Sequence, residues 1–197
     1  MPVKVLHRKD KSPGVGLRAV LAAQSDGAAV VPIPSPSSNA EEVKATDEIT
    51  LDAFTAADAW ELGTLLYARL LPFATAEGRS SLVSIAAANH QHVLFQAVVG
   101  SGTTPDNDVW VRRKRNSVLR FGASSWFLHC KYGGDEEAFR RKFGMSEEVA
   151  GGYAIHGGGV PIRVDGVEGI VAVVVVSGLK QHEDHGVIVD VINSNWE

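Results

Sequence analysis

Apolar positions along this chain change their spacing several times, and each change marks a boundary between elements. From Thr55 onward they recur at Ala59, Leu62, Leu66 and Leu70, the three-to-four-residue spacing of a helix with one buried face. Thr55 is an N-cap residue and Asp58 follows three positions later, so the pattern predicts a helix over 56–71 that closes near Pro72. Two short apolar runs come next, Ser81 to Ala88 and Val93 to Val99, joined by Asn89-His90-Gln91-His92; runs of that length around a polar turn predict a β-hairpin. Thr104-Pro105 with Asp106 and Asp108 supplies an N-cap, a proline at the first helical position and acids against the positive end of the helix dipole, which predicts a helix over 105–119. Shorter helices are expected over 123–131 and 135–143, the second ended by Gly144. The last third reads as a strand from Pro161 to Val164, a turn at Asp165-Gly166, a strand from Ile170 to Val176 and a closing helix over 182–192. The second of these strands is too uniformly β-branched to have a solvent face, so a central place in the sheet is expected.

Upstream of residue 54 the pattern is different: no aromatic residue occurs, and five of the eight prolines fall by Pro36. Pro32-Ile-Pro-Ser-Pro36 reads as a stiff, non-helical connector. Residues 1–46 are therefore expected to form an extension or linker ahead of a domain spanning 47–197, with a short helix over Leu17 to Gln24 and an edge strand over Ala28 to Ile33. Helix, hairpin, helices, hairpin, helix is an α+β order. It predicts an antiparallel sheet flanked by helices and argues against a doubly wound parallel sheet.

Composition narrows the class. A chain of 197 residues that is 45% hydrophobic can bury one core without disulfides, and the lone Cys130, assigned to the core, leaves no disulfide framework and fits a reducing, cytoplasmic setting. The longest apolar run, Ile170 to Val176, is far short of the roughly 20 residues that a membrane span needs. Lys4, Arg8, Lys9, Lys11 and Arg18 give the start of the chain a presequence-like charge, against which Asp10, Pro2 and Pro13 count. With a net charge of −4 and few aromatics among its basic residues, the chain has no footprint for nucleic acid or an acidic membrane.

Three segments carry candidate chemistry, each with a purely structural alternative. Gly157-Gly158-Gly159 precedes a strand and lacks a following Lys-Ser or Lys-Thr, so it is no nucleotide loop; its amides are free to converge on an anion, or the glycines simply serve a tight turn with positive φ. His182-Glu183-Asp184-His185 sets two imidazoles three residues apart on one helix face with carboxylates between them, and His156 is placed to join them. Acids in a first helical turn also answer the helix dipole. Arg112 to Arg115 with Arg120 form a basic cluster: Arg113, Asn116 and Arg120 share one helix side, Trp110, Lys114 and Ser117 another. It is either a solvated face or a clamp for a ligand carboxylate or phosphate. The candidate acid/base groups are thus His156, His185 and Glu183, and the candidate ligand contacts Arg113, Lys114, Asn116, Arg120, Gly157, Gly158, Gly159 and Asp184. No metal-ligand set is assigned.

Taken in order, these segments carry a family resemblance. His156-Gly-Gly-Gly159-Val-Pro-Ile-Arg-Val-Asp-Gly166, then Gly169-Ile-Val-Ala-Val, Ser177-Gly178-Leu and Glu183-Asp184-His185, with Trp110 to Phe121 and Glu61-Leu-Gly63 upstream, resemble the GlcG/HbpS-like family, also labelled the haem-degrading domain, over residues 50–193. The resemblance implies a profilin-like fold, a closed homo-oligomer and a ligand pocket at a surface or interface. Haem is the cofactor it raises, since some relatives bind it. Three functions follow: a small-molecule binding protein, an enzyme using His156 and His185 on a small carboxylated metabolite, or, through the tail Asn193-Ser-Asn-Trp196-Glu197, a partner of a tetratricopeptide co-chaperone that handles tail-anchored proteins.

Overall fold

The computed structural model describes residues 4–25, 28–90 and 92–197. In chain order the elements are β1 (Val5–Leu6), α1 (Val15–Ala23), α2 (Ala40–Asp47), β2 (Thr50–Leu51), α3 (Ala56–Glu77), β3 (Ser81–Ala87), β4 (Val93–Val99), α4 (Pro105–Phe121), α5 (Ser125–Lys131), α6 (Glu136–Lys142), α7 (Glu147–Ala150), β5 (Gly159–Val164), β6 (Ala172–Ser177) and α8 (Gln181–Asn195). The strands form one six-stranded sheet in the order β1-β2-β5-β6-β3-β4. β5, β6, β3 and β4 are antiparallel neighbours, as the two hairpins predict, while β2 joins β5, and β1 joins β2, in parallel. The fold is α+β, and its sheet is mixed rather than wholly antiparallel. β6 lies inside the sheet with every residue buried, the place its β-branched run predicts.

Helices cover both faces. α3 and α8 pack on one side, where Leu62, Leu66, Leu70, Val83, Ile85, Val174, Val176, Ile188 and Ile192 make the main core. α4 lies on the other side, closing Leu82, Val111, Val118, Val173 and Val175 into a smaller cluster. A satellite cluster of Leu128, Phe139, Met145 and Ile155 joins the short helices to the loop before β5.

Several expectations are corrected. α3 does not close near Pro72 but runs to Glu77, because Leu70, Leu71 and Phe73 all enter the core and their burial offsets the backbone bond the proline removes. Gly78 ends it in a left-handed conformation, its N–H donating to Phe73 O. Ala28 to Ile33 forms no strand: the stretch runs extended along α3, where Arg69 takes the Val31 and Pro32 carbonyls at 2.9 and 3.0 Å. α2, capped by the Asn39 side chain, stands where a linker was expected. Of the hairpin turn, Gln91 lies outside the described residues, as do Met1 to Val3 with Pro2.

The basic start of the chain is tied to its end. Lys9 Nζ donates to the Asn193 and Ser194 carbonyls at 2.9 and 3.1 Å, closing the C-terminus of α8. His7 N–H donates to Glu197 O, and Glu197 N–H returns the bond to His7 O. Trp196 is buried in the main core.

Candidate functional site

α4 and α8 both begin where strands end: β4 leads through Gly100 to Gly102 into α4, and β6 leads through Ser177-Gly178 into α8. Their N-termini face each other across a cleft of about 390 Å³ lined by Thr104, Asp106, Asn107, Trp110, Lys114, His156, Ser177, Gly178, Leu179, Gln181 and Asp184. The walls are thus mostly polar, with Trp110 and His156 as the aromatic side, their rings edge to face at 4.8 Å.

A buried ion pair forms the floor. Lys114 Nζ donates to Asp184 Oδ2 at 2.9 Å and to Val176 O at 2.9 Å, and Asp184 Oδ1 accepts the Leu179 N–H at 2.9 Å. Both side chains are buried, so the pair locks α4, the end of β6 and the first turn of α8 together. Burial pushes the Asp184 carboxyl up from its usual range, while the Lys114 ammonium and the Leu179 amide pull it back. Two of the three ammonium donors are used, and Lys114 is among the residues that line the cleft.

The glycines make this pair sterically feasible. Gly158 has φ +111°, and a Cβ there would lie 2.4 Å from Val176 O and 2.8 Å from both Lys114 Nζ and Asp184 Cβ. Gly157 N–H donates to Gln181 Oε1 at 3.4 Å and Gly159 N–H to Ser125 Oγ at 2.9 Å, so two of the three amides expected to gather an anion are already used within the fold.

His156 is half-buried at the rim. Its Nδ1 lies 3.3 Å from Glu136 Oε1, outside hydrogen-bonding geometry. Burial lowers its pKa, Glu136 opposes that, and Lys114 and Arg113 add to it. Behind it His129 stacks on Trp126 at 4.8 Å and is likewise lowered, by burial and by the neighbouring His156.

The structure does not bring the remaining expected residues to this cleft. His185 points to the opposite side of α8, fully buried, with Nε2 3.2 Å from Asp47 Oδ1 of α2 and its ring 6.1 Å from Trp126. Asp47 in turn accepts a very short bond from Ser124. Buried there, His185 has no route to a ligand in the cleft. Glu183 pairs with Arg79 and caps α8 through Lys180 N–H at 3.1 Å; burial raises its pKa, but Arg79 and that amide outweigh it and the net shift is downward. The two sides of α4 separate as the helical spacing predicts. Arg113 Nε donates to Tyr153 O and Asn116 Nδ2 to Gly152 O, and Arg120 lies over the Tyr153 ring, so all three hold the 145–155 loop while Trp110 and Lys114 face the cleft. Arg113 also stacks on Trp110 at 4.6 Å and stiffens that wall.

Sequence reasoning missed Thr104, Asn107, Ser177, Gly178 and Gln181. The available signal was that both capped helices follow directly on strands. Asn107 Oδ1 accepts the Thr104 N–H at 2.9 Å and its Nδ2 donates to Ser177 O at 3.3 Å, so a capping residue also bridges the cleft. Among the described residues, no group of three or more His, Cys, Asp or Glu is placed to hold a metal ion. No helix among them is long and apolar enough to cross a membrane.

Four antiparallel strands between α4 on one face and α3 with α8 on the other define a profilin-like α+β domain. The chain belongs to the HbpS-like family, described as haem degrading protein HbpS-like, whose sequence profile matches residues 54–193. A UPF0303 protein of Streptomyces avermitilis is 38% identical over 144 residues, covering 73% of this chain and 82% of the relative. UPF0303 protein YBR137W of Saccharomyces cerevisiae is 38% identical over 135 residues, covering 68% and 71%. The crystal structure of Ybr137w protein superposes with a TM-score of 0.70 at 33% identity, covering 79% of this chain and 86% of that one. That of HbpS gives 0.50 at 20% identity over 75% and 94%, a likeness of fold alone. The family read from the His156 to His185 motifs is thereby borne out.

Proposed function

We propose that this chain is a cytoplasmic small-molecule binding protein, assembled as a homo-oligomer, that takes a small polar ligand between the N-termini of α4 and α8. The observation that carries this is the cleft itself: about 390 Å³, within the size range of small-ligand sites, with a buried lysine at its floor and an aromatic wall. A ligand carboxylate or phosphate meets the Lys114 ammonium and the Gln181 and His182 amides at the start of α8, while its remainder lies along Trp110 and His156. The lone Cys130, half-buried, supports the reducing compartment.

Haem fits this site poorly. A porphyrin needs a broad apolar slot, and Thr104, Asp106, Asn107, Ser177 and Gln181 line the cleft instead. Nor does the tetratricopeptide partner enter the proposal, because Trp196 is buried and Glu197 is paired to His7 rather than free to dock.

A second reading rests on one observation. Burial lowers the His156 pKa against the opposing pull of Glu136, which favours the neutral imidazole that a general base requires, so the cleft is also equipped for proton transfer on its ligand.

The test is ligand-observed NMR against a library of small carboxylates, phosphates and sugars, with haemin as a separate arm. Binding of an anionic library member that is lost in Trp110→Ala and His156→Ala supports the proposal. A shifted haemin Soret band with no library binding overturns it.

A further inference from the structure

The two ring nitrogens of His156 are not equivalent. The ring stands edge to face with Trp110 on the cleft wall; Nδ1, but not Nε2, is buried without a hydrogen-bond partner. A buried ring nitrogen left unmet is costly, and the group within reach of it is Glu136, whose Oε1 lies 3.3 Å away but out of line. The backbone that carries the imidazole is fixed: Arg113 and Asn116 hold the Tyr153 and Gly152 carbonyls at 2.9 and 3.0 Å, and Ala154 N–H donates to Ser117 Oγ at 2.9 Å. Only the two side chains need turn for the bond to close. Hydrogen bonds of this kind are often misaligned until a ligand is present.

Glu136 differs from the acid beside it. Both stand in the first turn of α6, where the helix dipole favours acids. Glu137 is engaged within its own helix, accepting from Arg140 at 2.6 and 2.8 Å and from Arg141 at 3.3 Å. Glu136 turns instead to the cleft wall. Among the described residues its side chain makes no hydrogen bond, and the nearby Arg113, with Nη2 at 3.9 Å, is already bound to Tyr153 O and stacked on Trp110.

The charged groups around His156 come from four helices. Arg113 and Lys114 of α4 face it and Asp106 lines the same cleft, while α5 brings His129, α6 Glu136 and α8 Asp184. Lys114 and Asp184 compensate each other, and burial favours the neutral form of His129. Glu136 is the carboxylate set against Nδ1. Two cations and one acid around a half-buried imidazole favour the neutral ring, and an anion placed beside Lys114 reverses that balance.

We infer that Glu136, outside the cleft, is a positioning residue that couples anion capture to proton uptake. When an anion enters beside Lys114, His156 takes one proton from solvent, Nδ1–H closes onto Glu136 Oε1, and Nε2–H turns to the anion. The inference rests on the cleft reading of the proposed function and adds its regulation: the site binds an anion and a proton together, and releases both as pH rises.

Inorganic sulfate is the probe, because it stays doubly charged throughout the range and adds no titration of its own. It is titrated into the full chain against chloride at equal ionic strength, with binding read from the Trp110 indole and the protonation of His156 from its ring C–H shifts. A proton held in the complex and not in the free protein weakens binding by up to about tenfold per pH unit as pH rises between the free and bound His156 transitions. Sulfate accordingly moves the His156 transition to higher pH. Glu136→Gln binds like wild type at about pH 8 and about tenfold more weakly at about pH 6, with a smaller shift of that transition. Glu137→Gln, which loses only its bonds to Arg140 and Arg141, keeps the wild-type profile. Sulfate binding that is independent of pH, or a Glu136→Gln loss of the same factor at every pH, as a purely structural part through Arg113 would give, overturns this inference alone. Sulfate that leaves the cleft unperturbed at every pH also overturns it, whereas the cleft reading falls only if the anionic members of the ligand library fail as well.

Discussion

Lys114→Met isolates the ion pair at the cleft floor, because methionine keeps most of the side-chain volume and removes only the ammonium. Asp184 then retains the Leu179 amide as its partner and Val176 O loses a donor, with both side chains almost wholly buried at the cleft floor. Removing one partner of a buried pair costs about 3–5 kcal/mol. For a domain of this size each kcal/mol shifts Tm by about 2–4 °C, so a fall of about 6–20 °C is expected. The loss depends on pH in a defined direction. Burial already raises the Asp184 carboxyl above 3.8, and without Lys114 it rises further. Between the unfolded and the raised folded value the folded state holds more protons, so stability falls as pH increases through that window and is lowest above it. Relative to wild type, the variant therefore regains stability on acidification. Lys114→Met with Asp184→Asn removes both charges and recovers most of the loss. Urea denaturation at pH 5 and pH 8 on all four members of the cycle gives the coupling. A single variant within about 0.5 kcal/mol of wild type at pH 8, the range of surface substitutions, would refute the buried pair.

Four further outcomes are expected. Gly158→Ala destabilises by at least about 1–3 kcal/mol, since positive φ and the contacts with Val176 O and Lys114 act together, whereas Gly159→Ala, whose nearest contact is 3.1 Å, costs less; equal losses by thermal unfolding would contradict this. His185→Ala lowers stability by about 2–4 kcal/mol, within the range of buried-site losses, and leaves ligand affinity unchanged, while His156→Ala does the reverse; isothermal titration beside denaturation separates the two roles. His129 and His156 both have pKa values lowered from 6.5 by burial, so the unfolded chain takes up protons first and stability falls as pH drops below 6.5; His129→Gln with His156→Gln flattens that fall in a Tm-against-pH series. Trp196→Ala costs about 3–5 kcal/mol through loss of its core packing, and an unchanged Tm would restore a free tail.

The parts of the fold that were legible in the sequence are those specified by neighbouring residues. The Thr55 and Thr104 caps, the paired apolar runs and the β-branched β6 each fix an element locally, and each is present. β1 and β2 have two residues each, too few for any period, and exist only because β5 offers an edge brought from more than a hundred residues away. α3 passes Pro72 because burial of Leu71 and Phe73 outweighs a local rule, information that lies in the core and not in the window around the proline. The same division runs through the site. Helical spacing correctly sets Trp110 and Lys114 apart from Arg113, Asn116 and Arg120, but which side meets the cleft depends on the path of the 145–155 loop. His182 to His185 reads as one chemical cluster; yet on the folded α8 Asp184 faces the cleft, Glu183 turns to Arg79, and His185 turns to Asp47 on a helix that was not anticipated. Gly158 was readable as a residue needing positive φ, but the Lys114 ammonium that crowds it was not.

The most direct test of the cleft is amide and indole chemical-shift mapping on the isotope-labelled full chain, titrated with the tightest anionic member of the small-metabolite library. The account predicts that the largest shifts fall on the Trp110 indole N–H and on the amides of Gly178, Leu179, Gln181 and His182, and that Trp110→Ala abolishes them at the same ligand concentration. Shifts concentrated instead on Phe139, Ala150 and Tyr153, which line a separate hollow beyond Arg113, would contradict it.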